Sequence, residues 1–228
     1  MKSGYIDSGT AKIYYEIYGE GRNIVFLHGN GEDMTYFKHQ KDAFKNNYRL
    51  IFIDSRGHGK SSFGDEKLSL DLMSNDIIHV LNELKIDKSD FLGFSDGGNL
   101  ALMIAMKKSD ILNSLTVVGA NLKPEDLIIS ERIQIKKEIE LEEDDNKKAI
   151  LKLMINEPNI EDKDLNEIST KTLVVAGEKD LIEEDCTKRI ASNIKDSSLK
   201  ILKDADHFLI DTMPDKFNSI FEKFLNAI

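Results

Sequence analysis

A single cysteine, Cys186, occurs in the 228 residues, so no disulfide can form within the chain. A chain of this length hides roughly 70% of its unfolded surface, enough for one large domain held by burial alone. No apolar run approaches the roughly 20 residues that cross a bilayer, and residues 1–7 lack a signal-peptide core. A cytoplasmic protein without membrane contact is expected. Bases are scarce too: 31 Lys and Arg face 41 Asp and Glu, a formal charge of −10, which repels phosphate backbones and anionic lipid. The expected partner is a small molecule, neutral or cationic, rather than nucleic acid, and the expected assembly is a monomer or homodimer. Repeats and low-complexity tracts are absent, which sets aside solenoids and linkers.

What is present is a rhythm. Hydrophobic residues make up 40% and charged residues 32%, ordinary for a folded domain. Short β-branched runs recur at residues 23–27, 48–53, 90–93, 114–118, 172–176 and 199–202. Each is too short and too continuous for a surface helix, as strands buried on both faces are. Between them, Leu70, Met73, Ile77, Val80, Leu81 and Leu84 keep helical spacing, residues 100–106 read as a buried helix, and residues 208–228 close the chain as another. Alternating strands and helices predict an α/β fold: a mostly parallel sheet with helices on both faces. Residues 12–18 alternate Ile13, Tyr15 and Ile17 after the turn Asp7-Ser8-Gly9-Thr10, which predicts an antiparallel N-terminal hairpin at one edge.

Residues 121–170 break that rhythm. They hold no aromatic side chain and no strand run, but carry helical stripes such as Ile128, Ile135, Ile139 and Leu151, Met154, Ile155. They also hold 14 acids against 8 bases, more than half the net charge of the chain. A helical insertion over 121–170 is expected, dividing a core of residues 1–120 and 171–228. Its acidic run at 138–145 is either a solvated face or a charged lid over a site.

The sharpest motif is Gly93-Phe94-Ser95-Asp96-Gly97, a G-x-S-x-G between a strand and a helix. A serine on such a turn has a strained backbone, and its neighbours two residues away must be small for the two arms to pass. The turn presents the hydroxyl at a helix N-terminus, where N–H groups favour developing negative charge. A serine hydroxyl is a weak nucleophile until a base accepts its proton. Of five histidines, His39 and His79 lie in helical stretches, whereas His207 follows the last strand run, at an edge that can reach Ser95. A carboxylate must orient the base; Asp180 follows residues 172–176 in Gly177-Glu178-Lys179-Asp180, with Glu178 as its rival. Leu27-His28-Gly29-Asn30-Gly31 ends an early strand, so the N–H groups of Asn30 and Asp96 are the expected oxyanion donors. The side chain of His28 reads as a brace for that loop.

These pieces resemble an α/β-hydrolase fold enzyme: Leu27-His28-Gly29, Asp54-Ser55-Arg56-Gly57-His58-Gly59-Lys60-Ser61, the elbow Gly93 to Gly98, Gly177-Glu178-Lys179-Asp180 and His207-Phe208. The chain order Ser95, Asp180, His207 is the one such enzymes use. The resemblance implies an eight-stranded sheet, with a lid between strands six and seven, where residues 121–170 fall. It implies a Ser95–Asp180–His207 triad that hydrolyses a small carboxylic ester, thioester, lactone or amide through an acyl-enzyme, with no metal and no cofactor. Serine at the nucleophile position argues against the dehalogenase and epoxide-hydrolase branches, and the absence of Trp removes a usual halide ligand. Asp206 precedes the base where similar sequences often carry Gly, and an acid there would push activity to higher pH.

Two further features need a reading. Gly59-Lys60-Ser61 invites a P-loop, but the required first glycine is Asp54, so the phosphate cradle is incomplete. Asp96, beside the nucleophile, either bonds within the elbow or faces substrate, with Gly29, as a binding residue. The elbow is similar to that of valacyclovirase-type hydrolases, in which such an acid holds the ammonium of an amino-acid ester. The pocket is expected to be aliphatic, lined by Ile, Leu and Met of the insertion. Competing readings are a ligand-binding module on the same fold and a cofactor-free peroxidase or acyltransferase sharing the acyl-enzyme. Cys186 reads as a buried helix residue.

Overall fold

A computed structural model describes residues 1–228. Eight strands are present: β1 (Lys2–Ser8), β2 (Ala11–Tyr18), β3 (Asn23–Leu27), β4 (Arg49–Ile53), β5 (Ser89–Phe94), β6 (Leu112–Val118), β7 (Thr172–Lys179) and β8 (Ser197–Asp206). Eight helices join them: α1 (Lys38–Phe44), α2 (Leu70–Glu83), α3 (Asp96–Lys107), α4 (Ile129–Leu141), α5 (Asp145–Asn156), α6 (Glu184–Asn193), α7 (Leu209–Thr212) and α8 (Pro214–Leu225). The strands form one sheet in the order β1-β2-β4-β3-β5-β6-β7-β8. β1 pairs antiparallel with β2 and β2 antiparallel with β4, while every other pair is parallel. This is the mixed α/β sheet with an N-terminal hairpin that the apolar rhythm predicts. No helix is long and apolar enough to cross a membrane.

Alternation along each strand divides the core between two faces. Val25, Leu27, Ile51, Ile53, Phe91 and Val117 point to a mostly aliphatic layer beneath α2, α3 and α6. Phe26, Phe52 and Phe94 point the other way, where Phe37, Phe44, Phe217 and Phe221 meet them. β5 lies between β3 and β6, and all six of its residues are buried. α2 starts where Ser69 accepts a bond from Leu72 N at 3.1 Å, and it buries Leu70, Met73, Ile77, Val80 and Leu81. The single C-terminal helix expected over 208–228 is two helices instead. Pro214 has no N–H with which to continue α7, and opens α8 at its first turn.

Residues 121–170 carry α4 and α5, and of these two helices only Ile135 and Leu153 are buried. The stretch is moored at its ends. Ile128 N donates to Leu181 O at 2.9 Å and Glu183 N to Asp126 O at 2.8 Å. Arg189 of α6 pairs with Asp126 at 3.1 Å and Asp162 at 2.6 Å. Near the end of α5, Leu70 N donates to Glu157 Oε2 at 2.7 Å.

Candidate active site

β5 ends at Phe94, and Ser95 turns the chain into α3 with φ 52° and ψ −121°. A non-glycine residue in this region costs about 1–3 kcal/mol, so the surroundings must impose it. They do so through close approach. A Cβ on Gly93 would overlap the Gly97 carbonyl, and one on Gly97 would overlap the carbonyls of Leu27 and, at 2.6 Å, His28. Ser95 N donates to Val118 O at 2.8 Å, and Ser95 O accepts from Gly98 N and Asn99 N at 2.8 and 3.0 Å. The elbow is thereby pinned to β3 on one side and β6 on the other.

His207, just beyond β8, has its Nε2 3.1 Å from Ser95 Oγ and its Nδ1 2.6 Å from Asp180 Oδ1. Both side chains are buried, at 7% and 3% exposure. Asp180 also accepts from Gly177 N at 3.2 Å and Ile182 N at 3.1 Å, which fixes the carboxylate against the imidazole. Gly119, at φ 61°, backs the ring: a Cβ there would lie 2.8 Å from His207 Cε1. The carboxyl ends of β5, β7 and β8 thus bring three residues far apart in sequence onto one hydrogen-bonded line. Glu178 is turned elsewhere, exposed and accepting from Asp204 N at 2.9 Å. Asp206 likewise turns away and accepts from Thr212 Oγ1 at 3.1 Å, so the carboxylate in contact with His207 is Asp180.

The loop after β3 lies against the nucleophile, since a Cβ on Gly29 would sit 3.1 Å from Ser95 Cβ. Asp96 opens α3, so no carbonyl of that helix accepts its N–H. His28 donates from Nδ1 to Gly29 O at 2.8 Å and accepts from Ser55 N at 3.0 Å, a neutral brace; burial pushes it down to about 4. His58 is also buried and pushed down to about 4 by burial. His39 pairs with Asp211 at 3.2 Å, and His79 Nε2 lies 3.0 Å from Asp7 O, both away from the site. Lys60 Nζ sits 4.5 Å over the Tyr14 ring and Ser61 Oγ donates to Asp54 O at 2.6 Å, so Gly59-Lys60-Ser61 is spent within the fold. Cys186 is buried in α6. No three His, Cys, Asp or Glu side chains gather as metal ligands.

Four side chains at this site give no signal in the sequence. Glu32 Oε2 accepts from Gly29 N at 3.1 Å, and burial pushes its carboxyl up to about 7. Asn30 Nδ2 donates to Asp96 Oδ2 at 2.9 Å, and Asn99 Nδ2 donates to Asp96 Oδ1 at 3.2 Å and to Asn121 Oδ1 at 2.9 Å. Burial raises the Asp96 carboxyl, opposed by the Asn30 and Asn99 bonds. Asn and Glu at these positions look like ordinary polar residues until the fold supplies their partners.

A cleft of about 760 Å³ lies between this loop and the insertion, lined among others by Asn30, Glu32, His58, Glu138, Glu142 and Glu143. Its apolar side chains are only Leu141, Ile150 and Leu151. The apolar side chains of this cleft are aliphatic and come from the insertion, with no Met among them, and four acids stand beside them. Met103 and Met106 line a separate cleft of about 1070 Å³ on the far side of α5, together with Leu153 and Glu157.

Residues 22–146 match the model of the alpha/beta hydrolase fold family. The human serine hydrolase BPHL is 27% identical, over 99% of this chain and 87% of that protein. The 3-oxoadipate enol-lactonase 1 of Acinetobacter baylyi is 26% identical, over 90% of this chain and 89% of that one. Among solved structures, an esterase from Exiguobacterium antarcticum superposes with a TM-score of 0.85 at 22% identity, covering 97% of this chain and 98% of the other.

Proposed function

This chain belongs to the alpha/beta hydrolase fold family, and from that premise we propose that it is a serine hydrolase acting on a small carboxylic ester, thioester, lactone or amide. The observation that carries the reading is the line of bonds from Ser95 Oγ through His207 to Asp180. His207 takes the Ser95 proton as Oγ bonds to the substrate carbonyl carbon, and the carbonyl pair moves onto oxygen. The N–H groups of Asn30 and Asp96 receive that oxyanion. As the carbonyl re-forms, the bond to the leaving group breaks and His207 returns the proton to it, giving an acyl-serine. Water, deprotonated by the same imidazole, then releases the acid and restores Ser95. Asp180 holds the imidazole's orientation and stabilises its positive form. Substrate and water complete the stoichiometry.

Residues 121–170 act in this reading as the lid, and the cleft beneath it sets preference. With Glu32, Glu138, Glu142 and Glu143 facing one base, Lys147, a substrate bearing an amine is favoured over an anionic one. Asp96 and Gly29 are the proposed substrate contacts at the elbow. Intact mass after a fluorophosphonate probe tests the nucleophile: a single adduct on the wild type, lost in Ser95→Ala, is expected. No adduct on folded wild type would turn the assignment toward a binding module. Comparing kcat/KM for an α-amino ester with its uncharged isostere tests the preference. Equal values, or no change on Asp96→Asn, would overturn the amine reading.

A further inference from the structure

We propose that Asn99 and the side chain of Asn30 are positioning residues that join the oxyanion loop, the elbow and α5 into one unit. Seating α5 over the site and aligning the Asn30 N–H then become a single event. The proposal rests on Ser95 being the nucleophile.

Asn30 Nδ2 carries two hydrogens, and both are used: one goes to Asp96 Oδ2 and the other to Ile150 O, each at 2.9 Å. Both partners can only accept, which decides which way the amide is turned. Ile150 lies midway along α5, so the side chain of the residue expected to donate to the oxyanion is bonded to the main chain of the lid helix. The other carboxylate oxygen of Asp96 is held by Asn99, and Asn99 is held in turn. Its Nδ2 donates to Asn121 Oδ1 at 2.9 Å, its Oδ1 accepts from Asn121 N at 3.0 Å, and Asn121 Nδ2 donates to Lys123 O at 3.0 Å. Asn99 is fully buried, one residue before Leu100 and Ala101 in the aliphatic layer.

Packing alone calls for an apolar side chain at that place in α3. A buried amide is tolerated only because every strong donor and acceptor has a partner, and such a network holds its members in one arrangement. Ordinary helix packing does not need a chain of amides that starts beside the nucleophile and ends at the insertion's first residues and midway along α5. Positioning accounts for it. With Asn99 replaced by an apolar group, Asp96 loses one of its two anchors and Asn30 can swing, taking its N–H away from the carbonyl oxygen.

The test uses an uncharged ester, so that no substrate ammonium contributes. In Asn30→Ala and Asn99→Leu, kcat should fall about 10- to 100-fold while KM stays within about threefold, because a donor displaced by about 1 Å costs the transition state and not ground-state binding. Asn30→Ala should also speed amide exchange in residues 145–156 and leave exchange in β5 and β6 unchanged. A loss of stability shared by the whole chain would not produce that pattern. A kcat for folded Asn30→Ala within about twofold of wild type, or unchanged exchange in α5, overturns the proposal. If Asn99→Leu fails to fold, Asn30→Ala decides alone. A wild type that takes no fluorophosphonate overturns the nucleophile reading and this one with it. A wild type labelled at Ser95 with α5 exchange unmoved in Asn30→Ala overturns this one only.

Discussion

The elbow and the insertion are opposite ways of building with helices. All of β5 and the first seven residues of α3 are buried, and the glycines at 93 and 97 leave no room even for a methyl group. α4 and α5 bury one side chain each, and α4 leaves Ile129, Ile133 and Leu141 exposed. The difference teaches where rigidity is concentrated. A serine at φ 52° needs surroundings that over-determine it, whereas helices that bury one side chain each have few contacts to lose and open locally at low free energy.

Removing the chemistry from the rigid side should have the largest effect. Ser95→Ala and His207→Ala are each expected to lower kcat about 10⁶-fold, and Asp180→Asn about 10⁴-fold. Circular dichroism should stay that of the wild type, and the rates can be followed with a chromogenic ester. Next comes the packing of the turn itself. Gly97→Ala drives a methyl group into the Leu27 carbonyl and should cost about 4 kcal/mol or prevent folding, read from denaturant midpoints. Ile129→Ala, on the exposed face of α4, should stay within about 0.5 kcal/mol. Were these two to cost the same, the contrast between elbow and insertion would be lost.

The insertion has its own, smaller core. Leu153→Ala, at one of the two buried positions in these helices, should cost about 2–3 kcal/mol and loosen α5 before the sheet, as exchange would report. Acidification should act gradually, through buried side chains that titrate. His28 and His58 are held at about 4 in the folded chain by burial, below their unfolded value of about 6.5. The unfolded chain therefore binds protons that the folded chain refuses, and this contribution to stability is lost as pH falls from about 6.5 towards 4. Glu32, pushed up to about 7, acts the other way: its contribution is lost as pH rises from about 4.5 to 7. Glu32→Gln should remove that fall, so that the melting temperature rises more between pH 5 and pH 7 than it does in the wild type.

Local chemistry explains which parts were legible. The turn at Gly93-Phe94-Ser95-Asp96-Gly97 is specified by residues within five positions of one another, so both glycines and the serine could be read directly. Strand existence followed from β-branched runs, and all six runs correspond to strands of the sheet. Adjacency in sequence does not decide where a side chain points: the carboxylate of Asp206 accepts from Thr212, and the carboxylate bonded to His207 is that of Asp180. Glu32 carries no signature in the sequence because its partner is a backbone N–H three residues back.

Composition, apolar periodicity and turn residues by themselves determined a mixed α/β sheet, its N-terminal hairpin, the elbow, and a helical, acidic segment over 121–170. These follow from interactions within a few residues and from the free energy of burying apolar side chains. The tertiary structure alone decided that Asp180 and not Glu178 meets His207, that Gly119 makes room for the imidazole, and that Asn30, Asp96, Asn99 and Asn121 join into one chain. It also decided that the cleft beside Asn30 is walled by acids. Hydrogen bonds a few ångströms long between residues up to 120 positions apart form only once packing has brought strand ends together, and no local pattern records them.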